Sequence, residues 1–203
     1  FGDQFKSVAT INEPWCISWL SHYLGEHAPG KKDLNAAVHS MHNILLAHGL
    51  SIDSLRSEHD HQIGIVLNNE FGEPSDQNEK NIQAANLFDA IYNRWFSDAV
   101  FKGHYPQLAL NVFEPLMPQD YHSDLKIISK PIDWLGINYY TRSLIKSKVI
   151  FKITSFLKMR ELIILYSGQK KNILPHLNAN KISYVSLHSS DYSNHLLLHS
   201  NKK

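Results

Sequence analysis

Apolar and polar positions fall in blocks along this chain, and the blocks differ in period. Val8 to Asn12 is a short apolar run that Pro14 stops, which predicts a strand. Trp15 to Gly30 is rich in turn residues and closes on "HAPG". Asp33 then offers a side chain to cap a helix. Leu34, Ala37, Val38, Met41, Ile44, Leu45, His48, Ile52 and Leu55 recur at three- and four-residue spacing. That spacing lays them along one face of a helix of about six turns. Past the polar break "SEHDHQ", the continuous run Ile63 to Asn68 suits a strand covered on both faces, as in parallel sheets.

Residues 69–75, rich in Gly, Pro and acids, read as a loop. Asp76, with Glu79 three residues on, is arranged as a capping box. Ile82, Ala85, Phe88, Ile91, Tyr92, Trp95, Phe96 and Ala99 predict a second long amphipathic helix, with Gly103 as its stop. After a polar connection, Ile132 to Tyr140 forms a third apolar run. Strand, helix, strand, helix, strand argues for an α/β fold with a parallel sheet. Helices of about twenty residues favour the outer ring of a (β/α)8 barrel over a doubly wound sheet. No GxGxxG or GxxxxGK[ST] supports a nucleotide-binding sheet.

Composition narrows the class. The 203 residues, 43% hydrophobic and 19% charged, are those of a globular protein able to bury a core. The net charge of +1 hides a split, because nine of the 20 basic residues and only two of the 19 acids lie from Ser147 onward. Residues 1–146 thus carry 11 basic and 17 acidic side chains. An acidic body with no basic patch argues against a nucleic-acid partner. No apolar stretch reaches the roughly 18–20 residues of a membrane helix, so no membrane partner is expected. The single Cys16 excludes an intramolecular disulfide and favours the cytoplasm. "FGDQFKSVAT" is no signal peptide, and it opens in the middle of a plausible amphipathic segment.

The candidate chemistry sits at strand ends. Asn12 and Glu13 close the first strand, Asn68 the second, and Asn138, Tyr139 and Tyr140 the third. All lie at C-terminal ends, where a parallel barrel works. A carboxyl beside Trp15 and Pro14 is expected to be partly dry, which favours the protonated form a general acid needs. Neighbouring strand residues point to opposite faces, so Asn12 and Glu13 share a site only across a bulge or at an irregular end. The competing reading makes Glu13 a plain strand-to-loop turn residue.

Other residues are expected to be structural. Cys16 has no His at triad spacing and reads as a buried thiol. His39 and His42 lack the companions of a metal shell, so no metal is expected. His59 to His61 read as a solvated loop, and Trp95 and Phe96 as core. Trp19 is a candidate for the substrate entrance.

The run "TINEPWCISWLSHYLGEHAPG" is similar to the T-x-N-E-P-W and G-x-x-x-P-G segment of family-one glycoside hydrolases, the β-glucosidases and 6-phospho-β-glucosidases. The similarity continues in order through "HNILLAHGL", "IGIVLN", "NRWFSDAVFKGHYP" and "IISKPIDWLGINYYTR", covering residues 1–146. It implies strands four to six of a (β/α)8 barrel that cleaves β-glycosidic bonds with retention and without a cofactor. The implied substrate is a small-molecule β-glucoside or oligosaccharide. Glu13 would match the acid/base, and Asn12 the amide that holds the sugar's 2-hydroxyl. Tyr140 would match the tyrosine that hydrogen-bonds the nucleophilic carboxylate, with Asn138 beside it.

The family's T-E-N-G nucleophile motif does not occur in the chain. Residues 147–203 carry only Glu161 and Asp191 as acids, and Glu161 follows "NYYT" too soon to replace it. A three-strand arc leaves two sheet edges open, so the chain alone is expected to be poorly stable and inactive. The abrupt change after residue 146 points to a coding disruption such as a frameshift, with a genuine divergent segment as the alternative. Reading the nucleotide sequence from the Tyr140 codon in all three frames is expected to reveal T-E-N-G in a shifted one. Its absence from every frame would make the tail genuine.

Overall fold

The computed structural model describes residues 4–58 and 60–147. Three strands, β1 (Ser7–Asn12), β2 (Gln62–Pro74) and β3 (Trp134–Ile145), form one parallel sheet in the order β1-β2-β3. Parallel pairing points all three C-terminal ends the same way, so the polar strand ends meet on one side of the sheet. Among the described residues β1 and β3 each pair with β2 alone. The expected tail, including Glu161, lies outside the described residues.

Helix α1 (Leu34–Glu58) makes the first crossover. Its cap is the expected one: Asp33 Oδ1 accepts the backbone N–H of Asn35 at 2.9 Å and of Ala36 at 3.2 Å. Ala37, Val38, Met41, Leu45 and Ile52 are buried on one face, as the periodicity requires. They join Ile63, Ile65 and Leu67 of β2, Leu135 of β3, and Trp95, Phe96 and Phe113 in one core. Gly49 lets α1 approach the backbone of helix α5 (Tyr121–Ile128) at Ile127, where a Cβ would collide with a carbonyl.

The second crossover corrects three expectations. The long helix is built from α2 (Glu79–Asp89), a π-helical turn (Ala90–Arg94) and α3 (Trp95–Lys102), ended by left-handed Gly103 at φ 67°. Its cap is Asn78 rather than Asp76: Asn78 Oδ1 accepts the Lys80 N–H at 3.0 Å. Asp76 instead accepts from the Asn78 N–H and the Asn81 amide, which orders the turn before the helix. The connection read as polar coil holds two further helices, α4 (Gln107–Phe113) and α5.

The acidic stretch after Asn68 is strand, not loop. β2 shifts register between Asn69 and Phe71 and then pairs on, Phe71 with Arg142 through Pro74 with Ile145, so β3 outlasts Tyr140 as well. Side chains tie this extension down. Arg142 bridges to Glu73 at 2.5 Å, the Ser143 hydroxyl donates to Glu70, and the Phe88 ring covers Gly72.

Beneath the sheet, His48 of α1 is fully buried, and its Nδ1 lies 2.6 Å from Thr10 Oγ1 on β1. Thr10 also donates to the Gly64 carbonyl at 3.2 Å. His48 Nε2 has no partner among the described residues. Burial therefore holds this imidazole neutral and lowers its pKa from 6.5 to about 4. The unfolded chain binds that proton more readily, so stability is complete above 6.5 and is lost as the pH falls towards 4. The loss expected across that window is roughly 3 kcal/mol. Urea unfolding of the native chain and of His48→Gln at several pH values checks it, with the acid loss expected to shrink in the variant.

Candidate active site

The C-terminal end of β1 is irregular where the chemistry would need it to be. Pairing with β2 shifts register between Ala9 and Asn12, and Glu13 takes a left-handed φ of 52°. Its backbone N–H still donates to the Val66 carbonyl at 2.8 Å, so the residue stays attached to the sheet. Pro14 follows at the first position of a helical turn, where a missing N–H costs nothing. The Cys16 and Ile17 N–H groups return to the Glu13 carbonyl at 2.9 and 3.3 Å. Pro14 and Trp15 are buried, and the Trp15 ring lies 4.4 Å from Tyr92, so they anchor the backbone in the core.

The half-buried Glu13 carboxylate collects donors from two directions. On Oε1, Asn138 Nδ2 donates at 2.8 Å and the Tyr140 hydroxyl at 2.6 Å. Asn138 Nδ2 also lies 3.3 Å from Asn12 Oδ1, so all four predicted site residues share one hydrogen-bonded cluster. On Oε2 the Cys16 thiol donates at 3.4 Å. The resemblance assigns Tyr140 to a nucleophilic carboxylate, whereas here its hydroxyl lies on Glu13. That hydrogen bond, with partial burial and the Glu13 charge, pushes the Tyr140 phenol up to about 12.

Cys16, read as a buried thiol, is half-buried and lies against Glu13. Burial, followed by the bond to Glu13 and its charge, raises the thiol to about 12. The available signal was spacing: a helical turn that starts at Pro14 brings residues three apart onto one face.

The remaining candidates lie elsewhere. Asn68 is buried and donates to the Tyr92 hydroxyl at 3.0 Å. Tyr139 is exposed. Trp19 is buried against Trp15, Tyr23 and Phe113, a core position rather than a substrate entrance. Trp95 and Phe96 are core, as expected. His42 is buried between the Tyr105 hydroxyl at 2.8 Å and Asp124 at 2.9 Å, while His39 is half-buried. Among the described residues no three His, Cys, Asp or Glu side chains cluster to hold a metal. His59 lies outside those residues, Asp60 is exposed and His61 half-buried.

Sequence reasoning also missed the clamp beyond the site. Asn93, in the π-helical turn, accepts the Glu70 N–H at 3.0 Å and donates to the Glu70 carbonyl at 2.9 Å, fixing β2 at its register shift.

The family model for glycosyl hydrolase family 1 matches residues 1–184, past the point where the similarity was read to end. A β-glucosidase of Agrobacterium sp. is 43% identical over 141 residues, 69% of this chain and 31% of that protein. Beta-glucosidase A of Acetivibrio thermocellus is 42% identical over 151 residues, 71% of this chain and 33% of that protein. Among solved structures, the family 1 β-glucosidase of Thermotoga maritima superposes with a TM-score of 0.69 at 37% identity, over 72% of this chain and 33% of that one. Its complex with isofagomine lactam gives a TM-score of 0.71 at 36% identity, over 73% of this chain and 34% of that one. The chain belongs to glycosyl hydrolase family 1, and its sheet is an arc of a (β/α)8 barrel. It spans about a third of the length of the curated relatives it matches. No helix among the described residues is long and apolar enough to cross a membrane.

The geometry sets an expectation that needs no substrate. In Glu13→Gln the charge that holds the Tyr140 phenol is gone, so its ionisation should fall from about 12 towards the ordinary 10.0. A pH titration of the ring carbons by NMR, with Tyr140→Phe to assign the signal, checks it.

Proposed function

We propose that this chain supplies the acid/base half of a retaining β-glucosidase, with Glu13 as the proton-transferring carboxyl. One observation carries the reading: a carboxylate at the irregular C-terminal end of a parallel strand, held on one oxygen by Asn138 and Tyr140 at 2.8 and 2.6 Å. The β-glucosidase names of the relatives support the substrate class. Glu13 protonates the departing glycosidic oxygen and then takes a proton from the attacking water. Asn12, exposed beside it, offers its amide to the sugar's 2-hydroxyl. The chemistry uses two carboxyl groups and no cofactor. A cytoplasmic setting, suggested by the single cysteine, completes the reading.

Retention needs a nucleophilic carboxylate roughly 5–5.5 Å from the acid/base. The 203 residues contain no T-E-N-G, and the second reading is a carbohydrate-binding protein that keeps Asn12, Asn138 and Tyr140 without turnover. Hydrolysis of aryl β-glucosides separates the two. Under the first reading, the chain joined to a segment that supplies the nucleophilic carboxylate hydrolyses a phenyl glucoside, whose leaving group needs a proton, and Glu13→Gln lowers its kcat/KM about 10²–10⁴-fold. The loss is much smaller for a dinitrophenyl glucoside, whose leaving group departs as a stable anion. Sugar binding without turnover by that completed chain establishes the second reading.

A further inference from the structure

The two oxygens of Glu13 are not equivalent. Oε1 accepts a short hydrogen bond from a phenol and another from an amide N–H. The Asn138 Nδ2 group can only donate. A proton on Oε1 would therefore face an N–H, and one of the two bonds would have to break. Among the described residues Oε2 meets only the Cys16 thiol, a weak donor at 3.4 Å that leaves it a lone pair. From this asymmetry we infer that Glu13 carries its transferable proton on Oε2, and that Cys16 is a positioning residue for that oxygen.

The inference rests on the acid/base reading of Glu13. In the forward step a nucleophilic carboxylate bonds to the anomeric carbon as the glycosidic C–O bond breaks. The Oε2 proton passes to the departing oxygen, and Glu13 is left as a carboxylate. In the return step water bonds to the same carbon, the ester to the nucleophile breaks, and the water proton comes back to Oε2. Cys16 keeps its S–H throughout and is not consumed. A thiol suits this place because it fixes the direction of Oε2 without competing strongly for the proton. Its backbone adds to the hold, since the Cys16 N–H donates to the Glu13 carbonyl at 2.9 Å. The raised thiol pKa, to about 12, keeps the sulfur a donor across the working pH range.

Infrared difference spectra of the whole chain read both halves of the inference without turnover. The chain has one cysteine, so its S–H stretch belongs to Cys16 alone. That band should lie at lower frequency in the native chain than in Glu13→Gln, where the charged acceptor is gone. The same frequency in both would remove Cys16 from the site. With the proton on Oε2, the carbonyl of protonated Glu13 is Oε1. Its stretch should then rise in Tyr140→Phe, which deletes a donor to Oε1, and move little in Cys16→Ser. The reverse pattern would place the proton on Oε1 and overturn the assignment. Alkylation by iodoacetamide gives a separate check, with the Cys16 rate at fixed pH expected to rise severalfold in Glu13→Gln as the thiol pKa falls. An unchanged rate would count against the contact. These bands and rates need no hydrolysis, so failure to turn over once a nucleophilic carboxylate is supplied sinks the acid/base reading while leaving them legible.

Discussion

The hydrogen bond from Tyr140 to Glu13 joins the first and third strands of the sheet across the second. Neighbouring strands lie about 4.8 Å apart, so side chains on β1 and β3 of a flat sheet begin nearly 10 Å from one another. A separation of 2.6 Å between their tips requires both side chains to lean over β2 from the same face. That is the geometry of a sheet curving toward closure, in which strand ends converge on an axis. Everything else at this end serves the same curvature. The register shift in β1, the second shift in β2 and the Asn93 clamp on Glu70 each bend or hold a strand where the side chains have to meet.

The helical layer supplies the stiffness. Trp15 follows directly from the site and ends on Tyr92, whose hydroxyl accepts from Asn68 at the end of β2. Tyr92 and Asn93 both come from the π-helical turn Ala90–Arg94, which widens the helix by one residue just where two neighbours are aimed at one strand. On the other side, His48 ties α1 to Thr10, three residues before Glu13. The strand that carries the carboxyl is thus held from below by a buried, neutral imidazole and from the front by the core aromatics.

Much of this was legible in the sequence. The first strand was read as Val8 to Asn12 and is Ser7–Asn12; the burial stripe of α1 and its Asp33 cap follow from spacing and cap chemistry. Placing polar residues at C-terminal strand ends gave six candidates, the resemblance narrowed them to Asn12, Glu13, Asn138 and Tyr140, and the geometry brings those four together. What stayed hidden depends on contacts between distant residues. Gly72, Glu73 and Pro74 are poor strand formers, and they pair because Arg142, Ser143 and Phe88 arrive from elsewhere in the chain. The short helices α4 and α5 present too few apolar repeats to show a period. The cap at Asn78 was missed because Asp76 offered the commoner box pattern two residues earlier.

Glu13 shows why the constraint and the chemistry coincide. A left-handed φ costs a non-glycine residue about 1–2 kcal/mol, and such a residue persists only where its surroundings hold it. Here the Val66 carbonyl takes its N–H, two turn N–H groups take its carbonyl, and the rigid Pro14 follows. A glycine would accept that conformation more easily, yet it would bring no carboxyl to meet Asn138 and Tyr140. A glutamate in a regular strand would point away from its neighbour Asn12. Only an irregular strand end puts both side chains within reach of the same Asn138 amide, so the strain is the condition under which adjacent residues can share one site.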